Sequence, residues 1–164
     1  ATRRGLTFDP VADFVPVAGL AAAPLVLVAD PALGLRSLDG FVALARARGE
    51  ALAYGTSGPG ASPHMAMATL ARAAGITPTQ VAYRGDPEIF TAILSGQVAA
   101  AFVLAPTAVP LAREGRLTAL AVTAAARLPA LPEVPTTAEA GWPDVTIASW
   151  WGLVAPRATP AAEV

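Results

Sequence analysis

The segment between Tyr54 and His64 holds the densest group of residues that could bind a small anion. It contains three glycines and three hydroxyl side chains, followed by a proline and the single histidine of the chain. A glycine-rich loop that opens a helix offers unpaired backbone N–H groups and the positive end of the helix dipole, which bind a carboxylate or phosphate without Arg or Lys. This spacing favours an anion-binding loop, with a purely structural loop as the alternative. The candidate ligand-binding residues here are Gly55, Thr56, Ser57, Gly58, Gly60, Ser62 and His64.

Hydrolysis is a second chemistry for the same segment, with Ser57 or Ser62 as nucleophile and His64 as base. The loop reads Gly-Thr-Ser-Gly-Pro, however, and so lacks the Gly-x-Ser-x-Gly pattern that exposes a nucleophilic serine on a sharp turn. No carboxylate in the sequence visibly orients the histidine. We therefore expect no enzymatic activity and predict a hydrogen bond from His64 that braces the loop, with a hydrolase as the alternative.

Two further loops could reach the same ligand. The first carries Tyr83, Arg84 and Gly85, and an Arg side chain can hold a carboxylate through two parallel N–H bonds. An exposed, solvated Arg84 beside Asp86 is the favoured interpretation, with ligand contact as the alternative. The second loop supplies Pro106 and Thr107, for which a simple turn between a strand and a helix is the favoured interpretation.

Short apolar strands and amphipathic helices alternate along the chain and would position these loops. Two short apolar runs lie at residues 17–21 and 25–29, and the second is β-branched enough to predict a buried strand. Further strands are predicted at residues 51–55, 80–83, 98–103, 117–122 and 145–154. Helical spacing predicts helices from about residue 38 to 49, 62–74, 86–94, 106–113 and 136–140, with N-caps at Ser37, Ser62 and Asp86. This alternation is typical of an α/β fold with a parallel sheet flanked by helices. Loops that leave the carboxyl ends of such strands meet at one edge, where ligands bind.

The composition narrows the classes of function. The formal net charge is −1, with 14% charged residues, so the chain lacks the basic excess of a nucleic-acid-binding protein. Cysteine is absent, and no His, Asp or Glu cluster has metal-ligand spacing, so neither a metal nor a cofactor is expected. The longest apolar stretch, residues 15–29, is broken by prolines and a glycine and is shorter than a membrane span of about 20 residues. The start lacks an initiator Met and the order of a signal peptide, so we expect a piece of a longer protein.

Several motifs, in order along the chain, resemble the receptors of tripartite tricarboxylate transporters, the Bug-type extracytoplasmic solute-binding proteins. They lie at residues 8–14, 54–64, 83–85, 117–123, 127–136, 138–141 and 149–153. The resemblance implies a periplasmic-binding-protein-like fold of type II, whose two lobes close on a small carboxylate ligand. It further implies a periplasmic location and delivery of the ligand to membrane permease subunits. A sensor or adaptor of the same fold is the alternative to transport.

The resemblance also implies a division of the chain. Residues 30–144 would form the second lobe, residues 1–29 a crossover or hinge segment, and residues 145–164 a return crossover towards a first lobe. The tryptophans Trp150 and Trp151 would be buried against a neighbouring element or form an interdomain contact. One departure concerns Val103 and Leu104, because family members often carry Asp-Asn there. Loss of that polar pair predicts a more apolar distal pocket, suited to an aliphatic or aromatic carboxylate.

Overall fold

The long strand β1 (Phe14–Ala29) belongs both to the main sheet and to a two-stranded ribbon. The computed structural model describes residues 5–163; residues 1–4 and 164, which belong to the predicted crossover segments, lie outside the described residues. The other strands are β2 (Ala53–Thr56), β3 (Thr79–Ala82), β4 (Ala100–Leu104), β5 (Thr118–Val122) and β6 (Ala148–Pro156). The helices are α1 (Leu38–Arg48), α2 (Ser62–Ala74), α3 (Asp86–Leu94) and α4 (Ala105–Arg113), with short 3-10 turns at Pro31–Leu33 and Gly49–Ala51.

The main sheet has the strand order β3-β2-β4-β1-β5. The α/β class is confirmed, but the sheet is mixed. β2 is parallel to β3 and β4, whereas β1 is antiparallel to both of its neighbours, β4 and β5. The expected parallel arrangement is therefore wrong at β1, the fourth of the five strands. A strand that is apolar throughout is equally suited to either direction when both faces of the sheet are covered, so its composition carries no information on direction.

Alternation along β1 divides the core into two layers. Leu25, Leu27 and Ala29 pack in one buried cluster, which α1 and α2 cover with residues such as Phe41 and Met67. Val26 and Val28 point to the opposite face, where α3 and α4 complete a second cluster with Ile89, Ile93 and Ala108. Successive side chains of a strand point to opposite faces, so each layer is built from every second residue. The sheet is thus held between two pairs of helices.

Outside this core, the first half of β1 pairs with β6 to form a two-stranded ribbon. The antiparallel register runs from Phe14 opposite Pro156 to Pro24 opposite Ala148. The two apolar runs predicted at residues 17–21 and 25–29 are therefore one continuous strand. Most ribbon side chains are exposed, and they include Val17, Leu20, Trp150, Leu153 and Val154.

Some predicted local features differ in the structure. Ser37 caps α1 as predicted, accepting a hydrogen bond from Gly40 N at 3.1 Å. Ser62 and Asp86 are instead the first residues of their helices, and the N-cap positions are Ala61 and Gly85. The helix predicted at residues 136–140 is a turn, and the last strand begins at Ala148 rather than at residue 145. Within residues 5–163, no helix is both long and apolar enough to cross a membrane.

Candidate ligand-binding cleft

The carboxyl ends of β2, β3 and β4 open onto a cleft of about 610 Å³. These three strands are parallel, so the loops that follow them meet at one edge of the sheet, as the sequence predicted. The start of β6 forms a further wall. The cleft is lined by Ser57, Ala61, Ser62, Pro63, Gly85, Asp86, Pro87, Leu104, Thr107, Ala148, Ser149, Trp150 and Trp151.

Three helices begin at this cleft. The N-cap residues of α2, α3 and α4 are Ala61, Gly85 and Leu104, and none of the three caps its own helix through a side chain. Each helix has a proline in its first two positions, which fixes the backbone for a helix start. The first amides of a helix have no acceptor within it, and the helix dipole is positive at that end. The three helix starts therefore bring positive partial charge to the cleft, which the Asp86 carboxylate offsets at the starts of α3 and α4, and neither Arg nor Lys lines it.

The loop between β2 and α2 is held in shape by its own side chains. Thr56 is buried, and its Oγ1 accepts hydrogen bonds from Gly58 N at 3.1 Å and from Gln80 Nε2 at 2.8 Å. His64 Nδ1 accepts a hydrogen bond from Gly60 N at 3.1 Å. The brace predicted for His64 is thus present, with the imidazole as acceptor. These bonds leave Ser57 and Ser62 as the hydroxyl residues of the loop that line the cleft.

Gly55 lies in β2 below the cleft and does not line it. A Cβ atom at this position would lie 3.1 Å from Ile89 Cγ2 and 3.6 Å from Ala101 Cβ. Close packing against Ile89 and Ala101 therefore explains the glycine at this position of the motif. Gly58 and Gly60 differ, because their φ angles of 112° and 81° lie in the region that side chains disfavour.

The second loop borders the cleft through Gly85 and Asp86 and not through Arg84, for which solvent exposure was the favoured interpretation. The Arg84 side chain is 93% exposed, and its Nε lies 4.0 Å from Glu88 Oε1. Neither Arg84 nor Tyr83 lines the cleft. Gly85 and the neighbouring Asp86 do line it. Asp86 Oδ2 accepts hydrogen bonds from Thr107 Oγ1 at 2.5 Å and from Leu104 N at 3.3 Å. Its position before Pro87 was the only signal in the sequence, and that signal indicated a helix start.

The third loop likewise has some residues that line the cleft and one candidate that does not. Thr107 and Leu104 line the cleft, while Pro106 does not. Val103 is fully buried in the core between the sheet, α3 and α4. Of the apolar pair Val103 and Leu104, only Leu104 therefore borders the cleft, and Asp86 supplies a carboxylate beside it.

The start of β6 is held against the cleft by a buried hydroxyl. Thr123 Oγ1 donates to Ile147 O at 2.6 Å and accepts from Leu25 N at 2.8 Å. This links the end of β5 to β1 and to the residue that precedes β6. Trp150 is 73% exposed and lines the cleft, so it is not buried against a neighbouring element. Sequence reasoning did not assign Ser149, Trp150 or Trp151 to the ligand site.

The arrangement does not support the serine hydrolase alternative. His64 Nδ1 is occupied by Gly60 N, and among the residues described neither Ser57 nor Ser62 forms a hydrogen bond with His64. Burial raises the pKa of the Tyr54 phenol, so this side chain at the base of the loop stays protonated at neutral pH. In the described part of the chain, no three His, Asp or Glu side chains come together as metal ligands.

Comparison with known proteins agrees with this geometry. The sequence profile of the tripartite tricarboxylate transporter family receptors matches residues 2–164. The chain belongs to that family. Protein BugT of Bordetella pertussis is 32% identical over 154 residues, which are 94% of this chain and 47% of that protein. The chain spans about half the length of the curated relatives it matches.

Two solved structures share the fold of this chain. Rpa4515 of R. palustris, solved with adipate, is 34% identical with a TM-score of 0.88 and covers 98% of this chain and 54% of its own. MatC (Rpa3494) from Rhodopseudomonas palustris, solved with bound malate, is 33% identical with a TM-score of 0.87 over 97% of this chain and 54% of its own.

The segment of residues 127–139, which spans parts of two motifs that resemble the family, at 127–136 and 138–141, forms a clasp away from the cleft. Arg127 Nε donates to Glu139 Oε2 at 2.9 Å, and Arg127 Nη1 donates to Pro132 O at 3.1 Å. Thr136 and Glu139 exchange hydrogen bonds between side chains and backbone N–H groups, at 2.7 and 3.0 Å. The Thr136 N–H and the Arg127 guanidinium lower the pKa of Glu139. This clasp therefore closes the segment between β5 and β6 and does not line the cleft.

Proposed function

We propose that this chain is the ligand-binding part of an extracytoplasmic solute receptor that captures a small carboxylate. The observation that carries the proposal is the convergence of the α2, α3 and α4 amino termini on one cleft without a cationic side chain. Such a cleft binds an anion through backbone N–H groups and helix dipoles. Two related structures were solved with adipate and with malate; both ligands are carboxylates and support this choice.

Within this proposal, the ligand carboxylate binds at the start of α2. Ser57 and Ser62 contribute hydroxyl groups there, and the amide of Ser62 is at the first helical position, where no intrahelical acceptor exists. Gly58, Gly60, Thr56 and His64 keep the loop open. Gly85 and Thr107 border the remaining part of the site, whereas Arg84 and Tyr83 remain candidates only for a ligand that extends beyond the cleft.

The proposal includes the setting that family membership implies. The receptor would work in the periplasm and deliver its ligand to the membrane permease subunits of a tripartite tricarboxylate-type transporter. Residues 1–29 and 145–164 would connect this lobe to a first lobe, and the exposed ribbon of β1 and β6 is the structural feature that fits a connection.

Binding is tested by following backbone amide resonances of ¹⁵N-labelled protein during titration with hexanoate. A ligand that only one lobe encloses keeps part of its surface in water and binds weakly. Amide titration suits this case because it detects affinities in the millimolar range. We expect saturable shifts at Ser57, Ser62 and His64. The Ser57→Asp variant places a competing carboxylate in the cleft and should weaken binding at least about tenfold, which is about 1.4 kcal/mol.

Thr146→Asp is the matched control, because Thr146 is exposed and does not line the cleft. It adds the same charge and should leave hexanoate affinity within about twofold, a difference of less than about 0.5 kcal/mol. Absence of shifts in the loop, or equal weakening by both variants, would rule out the proposed site.

A further inference from the structure

Asp86 gives the cleft two chemically different ends. The α2 end presents backbone N–H groups and the hydroxyls of Ser57 and Ser62, all of which can donate to an anion. The α4 end carries the Asp86 carboxylate, which is bound to Leu104 N and Thr107 Oγ1. An ionised carboxylate only accepts hydrogen bonds. The cleft is therefore donor-rich at one end and acceptor-rich at the other.

Only one oxygen of Asp86 is used by the protein. Oδ2 receives both hydrogen bonds, and no residue in the described part of the chain donates to Oδ1. The hydrogen bonds from Thr107 Oγ1, at 2.5 Å, and from Leu104 N, at 3.3 Å, hold the side chain in place. Oδ1 is thus an acceptor on a fixed carboxylate, available to a molecule in the cleft that Asp86 lines.

The negative charge of Asp86 is not neutralised by a neighbouring cation. Among residues 5–163, no Arg or Lys forms a salt bridge with Asp86, and Arg84 lies instead near Glu88. A second carboxylate on the ligand would therefore meet a like charge at the α4 end. A cationic group or a neutral hydrogen-bond donor on the ligand would instead pair with Oδ1. Such polar complementarity discriminates strongly between ligands of similar size.

We infer that Asp86 is a specificity-determining residue that selects a monocarboxylate with a hydrogen-bond donor, a hydroxyl or an ammonium group, at its far end. This inference rests on the proposed function, because it assumes that the ligand carboxylate binds at the start of α2. Dicarboxylates of equal length are disfavoured. The preference separates this cleft from those of relatives solved with adipate and malate.

The test is an isosteric ligand series: hexanoate, 6-hydroxyhexanoate, 6-aminohexanoate and adipate, with the corresponding four-carbon series run in parallel. Affinities are measured by the same amide titration at constant ionic strength. We expect the hydroxy or amino acid of one length to bind at least about tenfold tighter than the dicarboxylate of that length, equal to about 1.4 kcal/mol. Asp86→Asn keeps acceptors for Thr107 and Leu104 N and should reduce this ratio to about threefold or less, or about 0.7 kcal/mol.

Asp144→Asn is the control, because Asp144 is exposed and outside the cleft lining, and it should leave the ratio unchanged. Asp86→Ser, which keeps a short acceptor without charge, serves if the Asn variant does not fold. The wild-type ratio is decisive without any variant, since dicarboxylates that bind as tightly as the donor-bearing acids overturn the inference. Shifts at Ser57 and Ser62 without discrimination overturn only the role of Asp86. No shift with any ligand overturns the proposed function and this inference together.

Discussion

At the scale of single residues, the same amino acid serves different purposes within one motif. Gly55 is required by its close approach to Ile89, while Gly58 and Gly60 adopt positive φ angles in the loop above it. Similarly, Thr56 and His64 hold the loop from within, and Ser57 and Ser62 line the cleft. A motif that reads as one binding loop therefore contains both cleft-lining and structural positions.

Replacing Gly55 by Ala should destabilise the protein by about 1–2 kcal/mol. Overpacking a core typically costs about 1–3 kcal/mol. Removing a glycine from a strand recovers only about 0.5–1 kcal/mol. The new Cβ would meet the β-branched and fully buried Ile89, which has little freedom to move. Urea unfolding measures the change.

Gly19→Ala is the matched control for Gly55→Ala. Gly19 also lies in a strand, but no atom within 4 Å would contact the added Cβ. We expect this variant to be as stable as the wild type or up to about 1 kcal/mol more stable, because the gain from removing a strand glycine meets no steric cost there. If both variants have the same stability, close packing is not the reason for the glycine in β2.

At the scale of elements, the starts of α2, α3 and α4 define the cleft, and other elements hold the walls in position. The clasp of Arg127, Thr136 and Glu139 orders the segment that leads from β5 towards β6. Thr123 then pins Ile147, directly before the β6 residues that border the cleft. Positioning of the Trp150 wall therefore depends on residues that do not contact it.

The clasp makes a pH-dependent contribution to stability. The pKa of Glu139 is lowered in the folded state from its ordinary value of 4.5, so the stabilisation is fully present above that value. It is lost as the pH falls from about 4.5 through the lower, folded-state pKa. We expect Glu139→Gln to lose less stability than wild type between pH 6 and pH 3 in urea unfolding, roughly the range in which carboxylates titrate.

Glu133→Gln is the control for this experiment. Glu133 lies in the same segment, is exposed, and forms no side-chain hydrogen bond among the described residues. This variant should retain the pH dependence of the wild type. An identical pH dependence in wild type and Glu139→Gln would show that the clasp does not stabilise the fold.

At the scale of the whole molecule, β1 belongs to two regions of different stability. Residues 25–29 are fully buried and pair with β4 on one side and β5 on the other. Residues 14–24 pair only with β6, and most of their side chains are exposed. Regions with few buried apolar contacts open locally at a lower free energy than the core.

Hydrogen exchange should therefore divide β1 near Pro24. Hydrogen-bonded amides of residues 25–29 should exchange only through global unfolding. Those of residues 14–23 should exchange at least about tenfold faster, through local opening of the ribbon. The two halves of one strand serve as each other's control, with β4 amides as the reference for the core. Uniform protection along β1 would contradict this division.

Sequence by itself determined the class of fold and the place of the cleft. Apolar runs alternating with amphipathic segments require strands covered by helices, and parallel strands bring their following loops to one edge. Hence the loops after β2, β3 and β4 were located correctly, and the family motifs were recognised. These features are local patterns or follow directly from topology.

Only the tertiary structure decided the direction of β1, the role of Asp86 and the contribution of β6. Strand direction depends on how distant segments pair, and an apolar residue such as Leu27 fits a parallel or an antiparallel strand equally well. Asp86 beside Pro87 indicates a helix start in the sequence, but Thr107 and Leu104 N fix its carboxylate from another helix. Trp150 reaches the cleft because Pro24 lies opposite Ala148, a pairing across more than a hundred residues. Contacts between segments so far apart leave no periodic or local signal, so folding itself had to assemble this site.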